Sequence, residues 1–168
     1  MDPNLVIVIL AAGQGKRLGG ESQKVVRDIL GKPMLLYLFD TIEKLKPYKT
    51  IVVVGYKKEE VFEQLKDKKV EYVEQPEQKG TGDAVLVTRK ILQNYYGDIL
   101  ILCGDVPFVT INTLTSIVKI HKQESNHGTV LTTFVDNPTG YGRIKRDRNG
   151  RVVSIIEELN ATPEERFI

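Results

Sequence analysis

The stretch Leu5-Val-Ile-Val-Ile-Leu10 runs directly into Ala11-Ala12-Gly13-Gln14-Gly15-Lys16-Arg17-Leu18. Six consecutive apolar residues predict a buried strand, and the glycines and cations that follow predict a tight, positively charged turn. Glycines at 13 and 15 can adopt backbone angles closed to other residues, so that successive N–H groups can converge on phosphate oxygens. Arg17 adds a planar fork of donors that matches phosphate geometry. The stretch therefore predicts a strand that ends in a cradle for a polyphosphate.

This turn differs from two better-known phosphate-binding loops. A Walker A loop needs Ser or Thr after Gly-Lys, whereas Arg17 follows Gly15-Lys16. The dinucleotide fingerprint needs a third small residue where Arg17 stands. Taken alone, the turn is also compatible with an ordinary strand-to-loop connection that carries a solvated Lys-Arg pair.

Length and charge limit the class of protein. The chain has 168 residues, of which 41% are hydrophobic, and this predicts a single domain over residues 1–168. Its 24 basic and 22 acidic residues are spread along the chain and give a net charge of +2. There is no dense basic run and there are few aromatic residues, so we expect no nucleic-acid partner.

Cysteine and histidine usage excludes some kinds of site. Cys103 is the only cysteine, so an internal disulfide or a cysteine-rich metal site is excluded, and a reducing cytoplasm fits. The apolar run at 5–10 is too short for a membrane span and lacks the features of a signal peptide, so we expect no membrane insertion. His121 and His127 lie in a polar segment, and we assign them no role.

Apolar runs alternate with segments of helical period along the first three quarters of the chain. Strands are predicted at 5–10, 50–54, 70–73 and 99–102, and helices at 33–44, 58–66, 82–93 and 111–122. This alternation predicts an open, doubly wound, mostly parallel α/β sheet of Rossmann-like type. From about residue 128 the texture becomes β-branched, which predicts strands at 129–134, 142–144 and 152–156, with a hairpin turn at Asn149-Gly150.

Three polar segments follow predicted strands. They are Gly13 to Arg17, Gln75 to Gly82 and Gly104-Asp105. Because ligands of open α/β sheets bind beyond the carboxyl ends of the strands, we expect these segments to converge on one crevice.

Single residues in these segments leave alternatives open. The Asp105 carboxylate suits Mg²⁺ and equally suits a turn or a helix cap. Lys24 is a second candidate phosphate ligand, or an exposed lysine. Gln75 offers an amide to a base edge, whereas Gly80-Thr81-Gly82 could be a flexible loop with a threonine cap.

The motifs together resemble those of the sugar-1-phosphate nucleotidyltransferases. The closest likeness is to the N-terminal uridylyltransferase domain of the bacterial bifunctional enzymes that make UDP-N-acetylglucosamine. The segments that carry the resemblance are Leu10 to Arg17, Gly31 to Met34, Glu77 to Gly82, Gly104 to Pro107, Asp136 to Ile144 and Ile155 to Glu158. They occur in the family order. Pro138 to Ile144, with Asn160 to Glu164, indicates the N-acetylglucosamine branch.

The resemblance implies a role for each matching residue. The nucleotide-binding residues would be Ala11, Ala12, Gly13, Gly15, Gln75, Gly80 and Thr81. Arg17 and Lys24 would hold the triphosphate, and Asp105 would bind Mg²⁺. Gly140 and Glu157 match positions that contact the amino-sugar.

The implied reaction is attack by the oxygen of N-acetylglucosamine 1-phosphate on the α-phosphorus of UTP, with release of pyrophosphate. Positioning and charge neutralisation suffice for such a step, and it needs no covalent intermediate. Two alternatives stay open: a nucleotidyltransferase for another acceptor, such as glucose 1-phosphate, and a nucleotide-binding module without catalysis.

The chain departs from the family pattern at several positions. Gln23 replaces a usual proline, which predicts a less rigid loop at Lys24, and Cys103 replaces a common tyrosine. Glu158-Leu159-Asn160-Ala161 replaces Glu-Lys-Asp-Ala near the implied sugar site. Family domains continue past the position of Ile168, so we expect a C-terminally incomplete, monomeric form with weak or no activity.

Overall fold

The apolar stretch Leu5–Ala11 forms the central strand, β1, of a parallel sheet in the computed structural model, which describes residues 4–15 and 22–168. Strand β4 (Lys49–Val54) pairs with one edge of β1, and β6 (Asp98–Cys103) pairs with the other. Strand β5 (Glu71–Glu74) lies beyond β4, so the order is β5-β4-β1-β6. The predicted doubly wound, parallel α/β sheet is confirmed.

Among the described residues before 124, the remaining α-helices and strands are five helices and a short hairpin. They are β2 (Asp28–Ile29), β3 (Lys32–Pro33), α1 (Met34–Ile42), α2 (Lys58–Gln64), α3 (Thr81–Leu86), α4 (Arg89–Leu92) and α5 (Ile111–Gln123). A 3-10 turn covers Lys24–Val26.

Both faces of β1 are buried, because successive side chains of a strand point to opposite faces and each face is covered. Ile7 and Ile9 belong to a cluster with residues of α1, α2 and α5, such as Leu38. Val6 and Val8 belong to a second cluster with β4 and α3. The two hydrophobic clusters therefore support the carboxyl end of β1, where the glycine turn begins.

The chain divides into two units, Met1–Ser125 and Asn126–Ile168. The second unit contains an antiparallel pair, β7 (Arg143–Arg146) and β8 (Val152–Ile156). Gly150 has a φ of +79° in the connecting turn, which explains why a glycine follows Asn149 there. The hairpin is confirmed, whereas the single domain over 1–168, with its sugar-binding subregion from about residue 128, stays a prediction.

Two predicted elements were wrong in detail. Residues 129–134 form no strand, since their backbone pairs with no other strand of the described chain, and β-branched composition alone supplies no partner. The helix predicted to reach residue 93 divides into α3 and α4. Thr88 lies at the division, where its hydroxyl donates to the carbonyl oxygen of Val85 at 2.7 Å.

Within residues 4–15 and 22–168, the helices are too short or too polar to cross a lipid bilayer.

Candidate functional site

The glycine turn lies where β1 and β6 end. The backbone N–H of Gly104 donates to the carbonyl oxygen of Leu10 at 2.9 Å, which fixes the chain before Asp105 beside the turn. Gly15 has a φ of +59°, and a Cβ there would lie 3.0 Å from Cβ of Lys24. Gly15 therefore needs to be glycine both for its backbone angle and for the close approach of Lys24.

Gly13 differs from the expectation for this turn. Its φ lies outside the left-handed region, so the predicted special backbone angle holds for Gly15 alone of the two. A Cβ added to Gly13 would meet no atom within 4 Å among the described residues. The absent side chain leaves the backbone of the turn open to a ligand at this point.

Lys24 and Asp105 form an ion pair across the site. The Nζ atom of Lys24 lies 2.5 Å from Oδ2 of Asp105, and each side chain is about one-third exposed, at 34% and 35%. The two groups come from segments 81 residues apart. The structure thus brings a cation, a carboxylate and the glycine turn to one partly open place at the end of the sheet.

Gln23 holds the turn from inside. Its side chain is fully buried, and Nε2 donates to the carbonyl oxygens of Ala11 at 2.5 Å and Gly13 at 3.2 Å. Its Oε1 accepts from the backbone N–H of Val25 at 2.7 Å, and its own backbone N–H donates to Glu60 of α2 at 2.7 Å. The buried, hydrogen-bonded Gln23 amide therefore fixes the segment before Lys24 against the glycine turn and α2.

The segment from Gln75 to Thr81 meets the same turn. The Gln14 amide donates to the Gln78 side chain at 2.9 Å, and so connects the turn to this segment. Gly80, with a φ of +112°, is the N-cap of α3, and Thr81 is the first helical residue. Gln75 is buried at the end of β5, where its backbone N–H donates to Val54 at 2.8 Å. Within the described residues, the glycine turn therefore contacts the Gln75 segment through Gln14 and Gln78, and Gly104 contacts the end of β1 just before the turn. The convergence of all three segments on one crevice stays a prediction.

Arg17, the predicted fork for phosphate, lies outside the described residues. The described part of the chain contains no group of three or more His, Cys, Asp and Glu side chains that could hold a metal ion by themselves. Among the described residues, the Asp105 carboxylate is the one that pairs with Lys24 beside the glycine turn.

The Cys103 thiol precedes Asp105 and is free. Local desolvation, and then the neighbouring Asp105 carboxylate, raise the pKa of this thiol, with Lys24 acting in the opposite direction. The thiol is therefore held in its protonated form at neutral pH, where it is a poor nucleophile.

Gly140 and Glu157, the two implied sugar ligands, both belong to the second unit. The backbone N–H of Gly140 donates to Oε2 of Glu158 at 3.2 Å, and Glu157 is exposed. Glu158 also pairs with Nη2 of Arg143 at 2.8 Å. The hydrogen bond from Gly140 and the one from Arg143 lower the pKa of the Glu158 carboxyl.

Sequence reasoning gave no role to two polar residues that this geometry makes prominent. In the sequence, Gln23 stands out only as a departure from a proline, and Asp83 does not stand out. The local sequence, a glutamine followed by a lysine, does not predict that the glutamine is buried. Asp83 does occur two residues after Thr81, in the first turn of α3, where an acidic residue is favourable.

Residues 6–163 match the profile of the nucleotidyl transferase family. The bifunctional protein GlmU of Thermoanaerobacter pseudethanolicus is 46% identical over 98% of this chain, and that of Caldicellulosiruptor saccharolyticus is 42% identical over 100%. The chain spans about 35% of the length of these relatives. A nucleotidyl transferase from Methanothermobacter thermautotroptrophicus has a similar structure, with 25% identity, a TM-score of 0.60, and coverage of 82% of this chain and 68% of that one. Because the family profile matches residues 6–163, which include the parallel sheet and the described part of the glycine turn, the chain belongs to the nucleotidyl transferase family.

Proposed function

We propose that this chain binds UTP and transfers its uridylyl group to N-acetylglucosamine 1-phosphate, releasing pyrophosphate and forming a precursor of cell-wall synthesis. The observation that carries this proposal is the Lys24–Asp105 pair at the open glycine turn. A cation for phosphate and a carboxylate for a metal are the two charges that phosphoryl transfer requires. The likeness to GlmU supports the choice of UTP and the amino-sugar phosphate.

The triphosphate would lie over the glycine turn. The backbone at Gly13 is open, and the Lys24 ammonium is partly exposed beside it. Arg17 follows in sequence and would add a bidentate donor. These groups would align the α-phosphorus with the attacking sugar-phosphate oxygen and neutralise charge on the leaving pyrophosphate.

Asp105 would hold a divalent ion, which we propose to be Mg²⁺. Mg²⁺ is usually bound by one or two carboxylates, with substrate phosphates and water completing its shell. A single, partly exposed carboxylate next to the phosphate cradle fits that pattern. When bound, the ion would offset the negative charge of the phosphates. Lys24, released from Asp105, would then be available to a phosphate oxygen.

The uracil would lie against Ala11, Ala12 and the segment from Gln75 to Thr81. Gln75 is fixed at the end of β5, and Gln14 joins the two segments through Gln78. Gly140 and Glu157 would contact the amino-sugar. We further propose that the protein acts in the cytoplasm and that this chain is a monomer.

The test is calorimetric titration of the chain with UTP, with and without Mg²⁺, with CTP, GTP and ATP as comparison nucleotides. We expect UTP to bind best, more tightly with Mg²⁺, and both Arg17→Ala and Lys24→Ala to weaken binding by about tenfold or more, because each removes a charge-assisted hydrogen bond. Lys90→Ala, which removes an exposed lysine of α4, is the matched control and should leave binding unchanged.

Failure to bind any nucleotide would contradict the proposal. Equal weakening by Lys24→Ala and Lys90→Ala would contradict the placement of the phosphates. Turnover with glucose 1-phosphate, but none with N-acetylglucosamine 1-phosphate, would show that the acceptor substrate is a different sugar phosphate from the one proposed.

A further inference from the structure

The Gln75 side-chain amide has its nitrogen fully engaged. Its Nε2 atom donates to Oδ2 of Asp83 at 2.7 Å and to the carbonyl oxygen of Gly80 at 3.2 Å. Gln75 is only 3% exposed, so its side chain has little freedom to move away from these partners.

The chemistry of the two partners fixes which end of the amide faces them. A carboxylate and a backbone carbonyl can only accept hydrogen bonds at neutral pH, and the amide nitrogen is the only donor atom of the Gln75 side chain. The reverse orientation would set the amide oxygen against two acceptor oxygens. The hydrogen-bonding chemistry of the two partners therefore determines the orientation of the amide.

Both acceptors belong to the start of α3, which holds them in place. The carbonyl oxygen of Gly80 also accepts from the backbone N–H of Ala84 at 3.1 Å, and Ala84 is buried against the sheet. Asp83 lies one residue before Ala84, in the first turn of the helix. The amide nitrogen of Gln75 thus faces two acceptors that are anchored to the core.

The amide oxygen is left as the group that Gln75 can offer to a ligand. Both hydrogens of Nε2 are used, and no group of the described chain donates to Oε1. Where this acceptor faces N3 of a pyrimidine, it favours a base that carries a hydrogen on that nitrogen. Uracil carries a hydrogen on N3, whereas N3 of cytosine is itself an acceptor, and two facing acceptors repel.

We infer that Asp83 is a positioning residue that turns Gln75 into a hydrogen-bond acceptor, and so makes the site select uracil over cytosine. This inference rests on the proposed function, in which Gln75 faces the nucleobase. Asp83 touches no substrate in this account and acts through the Gln75 amide.

The experiment measures the dissociation constants of UTP and CTP for the parent chain and three variants. We expect the parent to bind UTP at least about tenfold more tightly than CTP, the effect of one hydrogen bond gained against one facing pair of acceptors. Asp83→Ala removes the charged and nearer of the two acceptors that hold Nε2, at 2.7 Å against 3.2 Å for the Gly80 carbonyl. The amide can then reverse and donate to N3 of cytosine, so the UTP-to-CTP ratio should fall by about tenfold.

Two variants separate positioning from a structural role. Asp83→Asn keeps an oxygen that can accept from Nε2, so its ratio should stay within about threefold of the parent ratio. Glu59→Ala removes an exposed acidic residue from the first turn of another helix, α2, and should leave the ratio unchanged. Thermal unfolding of each variant checks that it is folded.

An unchanged ratio in Asp83→Ala, with both nucleotides weakened equally, would mean that Asp83 only stabilises α3, and would overturn the inference while leaving the proposed function in place. Equal affinity of the parent for UTP and CTP would overturn it without any variant. If the parent bound no nucleotide, the proposed function itself would fail, and the inference with it.

Discussion

The two units of this chain bury different kinds of side chain. In the first unit, apolar residues of β1 and β4, such as Ile7 and Val52, are completely buried. In the second, Val153 is 57% exposed and Ile155 55%, and the buried residues are Ala161 and the charged Arg143. The implied nucleotide ligands of β1 are therefore supported by a packed sheet, whereas the implied sugar ligand Gly140 is hydrogen-bonded to a polar network.

Arg143 is the centre of that network. Its Nη2 pairs with Glu158 at 2.8 Å, its Nε and Nη2 each donate to the carbonyl oxygen of Arg166 at 3.3 Å, and its Nη1 donates to the carbonyl oxygen of Tyr141. Burial of apolar area varies little with pH, but an ion pair depends on the charge of both partners. The first unit is thus stabilised mainly by apolar burial and the second by a charged network. Each source of stability can be tested separately.

The largest expected effect comes from the core of the first unit. Ile7→Ala removes buried atoms from the central strand and leaves a cavity, so we expect a loss of about 3 kcal/mol in the free energy of unfolding. Val153→Ala, in exposed β8, should cost less than about 0.5 kcal/mol, as exposed substitutions do. Urea denaturation followed by circular dichroism measures both. Equal losses of unfolding free energy in Ile7→Ala and Val153→Ala would contradict the proposed difference in apolar burial between the two units.

A smaller effect is expected at the buried amide that fastens the glycine turn. Gln23→Ala removes the partner of the Ala11 carbonyl and of the Val25 N–H, so we expect a loss of about 2 kcal/mol, the cost of leaving buried groups unpaired. Gln123→Ala, at the exposed end of α5, is the matched control. The same urea titrations measure both variants.

For Gln23→Ala we also expect weaker UTP binding, because Lys24 follows Gln23 directly and the turn loses its fastening. A variant as stable as the Gln123→Ala control would show that the buried amide is replaceable, and that the turn keeps its shape without it.

The sheet could be predicted from sequence because its signals are local. The run Leu5 to Leu10 is apolar on both faces, and Gly15 marks a turn that only glycine suits. The carboxyl-end rule then predicts that the glycine turn and Asp105 lie at the same edge of the sheet, and Lys24 follows that turn in the sequence. The structure brings Lys24 and Asp105 into contact across 81 residues.

The polar supports could not be predicted in the same way. The burial of Gln23 and the orientation of the Gln75 amide depend on which groups face them in the fold. A glutamine in the sequence does not indicate which hydrogen-bond partners it will have. The segment 129–134 shows the converse case, in which β-branched residues favour a strand but find no strand to pair with among the described residues. Pairing is a property of the fold, and local composition does not determine it.

The smallest expected effect is the pH response of the second unit, and it separates the two units most cleanly. The hydrogen bond from the Gly140 N–H, followed by that from Arg143, lowers the pKa of Glu158 below its usual value of 4.5. The network therefore contributes fully above that value and is lost as the pH falls through the lowered pKa.

In ¹H–¹⁵N spectra, the Gly140 amide shift should titrate with a midpoint below 4.5. Arg143→Gln should move that midpoint upward, and Lys145→Gln, which breaks the separate pair with Glu165, should not. A parent midpoint at or above 4.5 would mean that the ion pair does not hold Gly140 in solution.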